Sequence, residues 1–277
     1  MRTRMLPVLV ALSVPALSAA QNATPPVPVR TRPQMENSSA GPIDRVQLAC
    51  APGAVLIAPA MAMRVVGSHE RGRILFGPHD PLIIGAGTNQ GLRPGQEYFV
   101  RRVVNDQFTP MTAASVLVSI HTAGWVRIVE AKDDMSIATV TQACDGVMTG
   151  DYLEPFTEPV APETIQDGSP DYSHPARLVL ADERRQTAVP GSLMLIDRGS
   201  DDGVRGGQRM TVFRQTFVSL GPQRPGYAPM YPPVASQGPV LKVGEATVLN
   251  VRPKTSLVRI DNAHDAVYIG DMVALHK

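Results

Sequence analysis

The sequence predicts a mostly β protein made of two tandem small antiparallel β-barrel-like domains related by internal duplication. Proline and glycine number 26 and 23 in 277 residues, which favours turns and short strands over long helices. Segments such as Ser136–Val140 and Ser256–Ile260 alternate polar and apolar residues with the period of a strand. Blocks of the first half also recur, in the same order, in the second half.

Residues 1–20 have the pattern of a cleaved secretory signal peptide. Two arginines precede an apolar run, Leu6 to Leu17, and small residues at 18–20 allow cleavage before Gln21. The alternative is an uncleaved anchor, although the run is short for a bilayer-spanning helix. We therefore expect a periplasmic or secreted protein with no transmembrane segment in its mature chain.

The remaining chain divides into two β domains and two polar connecting segments. Residues 21–42 form a Pro-rich spacer with little apolar content, which predicts disorder. Residues 43–155 form the first β domain, and residues 176–277 form the second. Residues 156–175 are interpreted as the linker, because their prolines exclude a helix and interrupt strand pairing. Helix signals are weak, and the best candidate, Thr141–Asp151, amounts to one turn.

Both domains carry a turn motif in which glycine, arginine and glutamine recur at one spacing. The segments are "GTNQGLRPGQ" and "GSDDGVRGGQ". The shared residues are Gly87, Gly91, Arg93, Gly95 and Gln96 in the first copy and Gly199, Gly203, Arg205, Gly207 and Gln208 in the second. We expect the glycines to occupy positive-φ turn positions and a tight bend. The arginines are expected either to pair with a neighbouring carboxylate or to hold a partner.

A second matched block supports duplication. "GWVRIVEAKDDMSIATVTQACDGVMTGDYLEP" aligns with "GEATVLNVRPKTSLVRIDNAHDAVYIGDMVAL", so Asp145 meets Asp265 and Asp151 meets Asp271. The second copy has a localised insertion between its two blocks, in a Pro/Gly-rich loop.

Several cofactor and ligand classes are excluded by pattern. "LIIGAGTNQG" resembles a dinucleotide-binding turn, but Pro94 and Gly95 prevent the helix that this site needs, and a β-type run follows. The second copy also has Asp197 where the first has Gly85. The six histidines lack metal-ligand spacing, and a formal net charge of +1 gives no basic excess for nucleic acid. No cofactor and no metal are therefore expected.

The two cysteines, Cys50 and Cys144, predict one disulfide. Export permits disulfide formation, and an even number of cysteines suits a single bridge. The alternative is two separate buried thiols.

Three aromatic residues form a possible contact surface. Tyr227 and Tyr231 lie in the Pro-rich insertion, and Trp125 is the single tryptophan. Core packing is the alternative for Trp125. No residue is assigned as catalytic: Asp151 and Asp271 are better explained as turn-capping residues than as catalytic carboxylates, and there is no G-x-S-x-G motif.

The phrase "LIDRGSDDGVRGGQRMTVFR", followed by "GEATVLNVRPKTSLVRI", resembles the C-terminal domain of the bacterial flagellar assembly protein T. It is also similar to related modules of exported, peptidoglycan-associated proteins of Gram-negative bacteria. Asp197 stands where the family has Asn, and the first copy has Thr88 and Gln90 at the family's Ser and Asp positions. The resemblance implies a small β-barrel in the cell envelope that works through protein contacts.

The resulting functional hypothesis is a non-enzymatic scaffold or adaptor of the cell envelope, with an envelope protein or the cell wall as its partner. Two alternatives stay open. One is a glycan- or peptidoglycan-binding module that uses the aromatic residues, and the other is a carboxylate-dependent hydrolase.

Overall fold

Antiparallel strands account for most of the ordered secondary structure in the computed structural model of the protein. It describes residues 38–55, 59–60, 62–104, 118–166, 168–181, 185–219 and 235–277. The mostly-β prediction is confirmed. The predicted signal peptide, residues 21–37 of the predicted spacer, and Tyr227 and Tyr231 lie outside the described residues. The end of the spacer is described, and the disorder predicted for it was wrong at Ser38–Ser39, which form a strand.

The chain order contains eighteen described strands and one α-helix. They are β1 (Ser38–Ser39), α1 (Arg45–Ala49), β2 (Gly53–Val55), β3 (Val65–Gly67), β4 (Leu75–Phe76), β5 (Pro81–Ile84), β6 (Glu97–Val104), β7 (Val118–Ala131), β8 (Ser136–Ala143), β9 (Val147–Met148), β10 (Tyr152–Pro155), β11 (Pro170–Ala181), β12 (Thr187–Ala188), β13 (Leu193–Ile196), β14 (Arg209–Ser219), β15 (Ala235–Val251), β16 (Ser256–Ala263), β17 (Val267–Tyr268) and β18 (Met272–His276).

The first sheet has the strand order β10-β6-β7-β8-β5-β3, and β2 adds to β7. Its two end strands meet, because Arg64 bridges to Tyr152 in antiparallel fashion. Val65 N–H donates to Asp151 O at 2.9 Å, and Leu153 N–H donates to Met63 O at 3.0 Å. The pairings therefore return from the last strand of the order to the first.

The second sheet repeats this arrangement with the order β16-β13-β11-β18-β14-β15, and β15 also pairs with β16. The short strand β1 pairs with the C-terminal end of β16, at Asn262 and Ala263. Each sheet is accompanied by a two-stranded ribbon, β4 with β9 and β12 with β17.

Strand alternation places one apolar core inside each sheet. In β8, Ser136, Ala138 and Val140 are buried while Ile137 is exposed, as a period of two requires. The first core contains Ile84, Val126 and Ile128, and the second contains Ile196, Val248 and Ile260.

Helix α1 lies between the two sheets and contacts both. Leu48 packs with Leu193, Leu249 and other residues of the second sheet, whereas Ala49 packs with aromatic residues of the first sheet. Five residues are too few for a periodic signal, so the helix was missed by sequence reasoning. The one-turn helix expected at Thr141–Asp151 was wrong: its residues complete β8 and form the turns around β9.

The expected linker is partly ordered against the second sheet. Strand β11 begins at Pro170, inside the segment 156–175, and its register with β18 shifts between Asp171 and Ala176. Ile165 N–H also donates to Gly207 O at 2.7 Å. The prolines interrupt pairing with β18 over a few residues but do not prevent it, since the strand resumes at Ala176.

Candidate functional site

The repeated turn has the same backbone geometry in both sheets. A 3₁₀ helix of three residues ends at Gly91 with φ 86° in the first sheet and at Gly203 with φ 81° in the second. Gly95 and Gly207 also have positive φ, 87° and 78°. These four glycines occupy the left-handed region, where a residue with Cβ is strained.

The expectation of a positive φ was wrong for Gly87 and Gly199. Their φ values, −144° and −139°, belong to extended backbone. Glycine is required there because a Cβ on Gly87 would lie 1.9 Å from Lys132 O, and one on Gly199 would lie 2.1 Å from Arg252 O. Each turn therefore packs closely against a loop. This loop follows β7 in the first sheet and β15 in the second.

The side chain of each glutamine accepts a hydrogen bond from the backbone of its turn. Gln96 Oε1 accepts the backbone N–H of Arg93 at 2.7 Å, and Gln208 Oε1 accepts that of Arg205 at 3.1 Å. Both arginine side chains are exposed. Within the described part of the chain, neither guanidinium forms an ion pair or a hydrogen bond, so the expected pairing with a neighbouring carboxylate is not observed there.

Asp151 and Asp271 are buried, and an arginine holds each of them with two hydrogen bonds. Arg102 Nε and Nη2 donate to the two Asp151 oxygens at 2.7 and 2.8 Å. Arg214 makes the same pair of bonds to Asp271, both at 2.7 Å. These bonds raise the pKa of both guanidinium groups. Sequence reasoning overlooked these arginines, although Arg102 and Arg214 occupy matching positions in the aligned copies.

Trp125 packs inside the protein, so its assignment to a contact surface was wrong. Its side chain lies in a cluster with Phe99 and Phe156, with ring centroids 6.5 and 5.4 Å away. Most of the indole surface is apolar, and packing the ring inside the protein removes this surface from water, which is favourable.

The structure joins Cys50 and Cys144 in a disulfide with a Cα–Cα distance of 5.5 Å. Cys50 follows α1 and Cys144 follows β8, so the bond attaches the helix to the first sheet beside the Trp125 cluster.

A cleft of about 310 Å³ opens between the two sheets next to α1. Its apolar walls come from both sheets and the helix, and they include Leu48, Phe99, Leu195, Leu249 and Leu257. Four charged side chains also line it: Arg101, Glu154, Glu158 and Arg252. The cleft therefore combines apolar walls with convergent polar groups, a combination found in small-molecule sites.

Arg101 is the most deeply placed charge in this cleft. Its guanidinium lies 4.5 Å from the Phe99 ring centroid, and Nη1 donates to Thr122 Oγ1 at 2.7 Å. Its Nε lies 2.6 Å from Glu154 Oε2, yet the N–H is not aligned for a hydrogen bond. Burial lowers the pKa of Arg101, Glu154 opposes this effect, and the charge of Arg252 adds to it.

Tyr152 stands beside these charges. Burial raises the pKa of its hydroxyl, Glu154 acts in the same direction, and Arg101 and Arg252 act against it. Tyr152 Oη is buried and has no hydrogen-bond partner among the residues described.

The described ranges contain no group of three or more His, Cys, Asp or Glu side chains placed to hold a metal ion. They also contain no helix whose length and hydropathy would let it cross a bilayer.

Comparison with protein-family models gave no match, and comparison with curated proteins gave no significant match. The resemblance to the flagellar domain is therefore carried by the motif residues alone.

Proposed function

We propose that this chain is a non-enzymatic, exported scaffold or adaptor of the cell envelope that acts through protein contacts. The observation that carries the proposal is the pair of exposed arginines, Arg93 and Arg205, on turns of closely similar backbone geometry. A charged side chain that the fold does not use, presented twice on a fixed backbone, suits recognition of an acidic surface on a partner.

The geometry favours this function over the two alternatives. The oxygens of Asp151 and Asp271 accept bonds from arginines, which leaves little capacity for the acid–base chemistry of a hydrolase. Trp125 is buried in a cluster with Phe99 and Phe156, so its ring is not offered to a sugar.

Crosslinked pull-down from envelope fractions tests the proposal. The full chain and the variant R93A/R205A are compared with the control R71A/R127A, which removes the same charge from two other exposed arginines. We expect the native chain and the control to recover one defined partner, and R93A/R205A to lose it. Failure of the native chain to recover any partner would contradict the adaptor function. Equal recovery by all three would contradict the role of the turns.

Export has a separate test. The mature chain in a periplasmic or culture fraction is expected to begin at Gln21, as read by N-terminal sequencing. An intact N-terminus in the cytoplasmic fraction would contradict this part of the proposal.

A further inference from the structure

Two guanidinium groups cluster at the inter-sheet cleft. Arg101 Nε is buried and lies 2.6 Å from Glu154 Oε2, but it makes no aligned hydrogen bond in the described structure. The half-buried guanidinium of Arg252 forms no ion pair or side-chain hydrogen bond with described residues. Native proteins satisfy the great majority of buried polar atoms, so such a cluster points to a missing ligand or water.

The second sheet shows that the fold does not require this cluster. Arg101 pairs with Tyr152 across β6 and β10, and at the same register Phe213 pairs with Met272 across β14 and β18. Glu154 corresponds in the same way to Ala274. Apolar residues therefore fill this place in one sheet, whereas the other carries the desolvation cost of a buried guanidinium.

The charged residues around the cleft indicate the charge of the ligand. Glu158 forms an ion pair with Arg45 at 3.0 Å, and Glu154 lies against Arg101. Arg252 remains as the uncompensated positive charge. One net charge suits a monoanion such as a carboxylate better than a dianionic phosphate, and two guanidinium groups match the two oxygens of a carboxylate.

The residues that line the cleft indicate which chemical group carries the anion. The cleft is lined by Leu195, Leu249 and Leu257 of the second sheet, and its volume of about 310 Å³ lies at the lower end of small-molecule sites. The group that carries the anion is therefore small and in part apolar.

We propose that the cleft between the two sheets binds a small carboxylic acid with a partly apolar body, with Arg101 and Arg252 holding the carboxylate. This site is independent of the adaptor function, because the ligand binds the isolated chain.

Titration calorimetry on the purified, oxidised chain tests the site with sodium N-acetylleucinate as the probe. We expect saturable binding with a Kd of about 1 mM, and binding of the neutral N-acetylleucinamide that is at least about tenfold weaker. Inorganic phosphate, as the second probe, is expected to bind more weakly than N-acetylleucinate. Tighter binding of phosphate, equal binding of acid and amide, or no saturation by about 20 mM would each overturn the proposal.

Variants assign the residues. R252M is expected to weaken binding of N-acetylleucinate by about tenfold or more. K132M is the matched control, because Lys132 is the aligned residue of the first copy and lies outside the cleft; its affinity is expected to be unchanged. Equal affinities of R252M and K132M would overturn the role of Arg252.

Discussion

The aspartate of each Gly-Asp turn accepts hydrogen bonds from a distant arginine and from a nearby backbone N–H. Asp271 accepts two bonds from Arg214 of β14 and a third, at 2.8 Å, from the backbone N–H of Tyr268. Asp151 is held in the same way by Arg102 and the N–H of Met148. The carboxylate thus fixes the end of the ribbon strand against the neighbouring long strand.

We predict that D271A destabilises the protein by about 3 kcal/mol, because Arg214 and the backbone N–H of Tyr268 would lose the buried carboxylate that accepts their hydrogen bonds. Urea unfolding followed by circular dichroism measures this loss. The control D265A removes a more exposed carboxylate, 3.5 Å from the same arginine, and is expected to cost less than about 1 kcal/mol. Equal losses in the two variants would contradict this account.

The importance of both aspartates as turn residues could be predicted from their recurrence after glycine. Their arginine partners could not be inferred from local pattern, because Arg102 and Asp151 are far apart along the chain. Only the pairing of β6 with β10 brings them together. The same limit applies to Arg101 and Arg252, whose proximity depends on how the two sheets meet.

The repeated turn requires glycine at two positions for two different physical reasons. Gly199 lacks space for a Cβ because Arg252 O is too close, whereas Gly203 has open space but a positive φ. Ser200 N–H donates to Arg252 O at 2.9 Å, so moving the turn away would also lengthen this bond.

We predict that G199A destabilises the second sheet more than G203A. The first variant forces the turn off its docking loop, at about 3 kcal/mol or more, while the second strains one residue by about 1–2 kcal/mol. Thermal unfolding of the two variants, with G206A as a control at a glycine whose nearest Cβ neighbour is 3.5 Å away, measures the order. A larger loss in G203A than in G199A would show that conformation, and not contact, governs the turn.

The long strands could be predicted because alternation and β-branched residues leave a direct mark on sequence. Strand β8 and strand β16 fall where the alternation lies. The five-residue helix α1 leaves no such mark, and its conformation depends on contacts with both sheets. The aligned glycines predicted one turn in each sheet, but the crowding at Gly87 and Gly199 depends on loops far along the chain.

At the scale of the whole molecule, α1 and the disulfide connect the two sheets. The bond ties the C-terminal end of the helix to the first sheet across a sequence separation of 94. Leu48 on the same helix is buried against the second sheet. Removing the bond therefore acts on the contact between the sheets as well as on the first sheet itself.

We predict that C50S/C144S loses about 3–5 kcal/mol of stability, the value expected for closing a loop of this length. Its unfolding is expected to separate into two transitions, since the sheets would lose part of their connection. Dithiothreitol should produce the same change in the native chain and none in the variant. A single transition with an unchanged midpoint would contradict this role of the bond.

The pairing of β1 with β16 has a consequence for the order of events during synthesis. Ser38 and Ser39 leave the ribosome long before their partners, Ala263 and Asn262. The six strands of the second sheet can pair among themselves without β1, so β1 has nowhere to attach until they have done so. Contacts between such distant residues form slowly, and we therefore expect the attachment of β1 to β16 to be one of the last steps of folding.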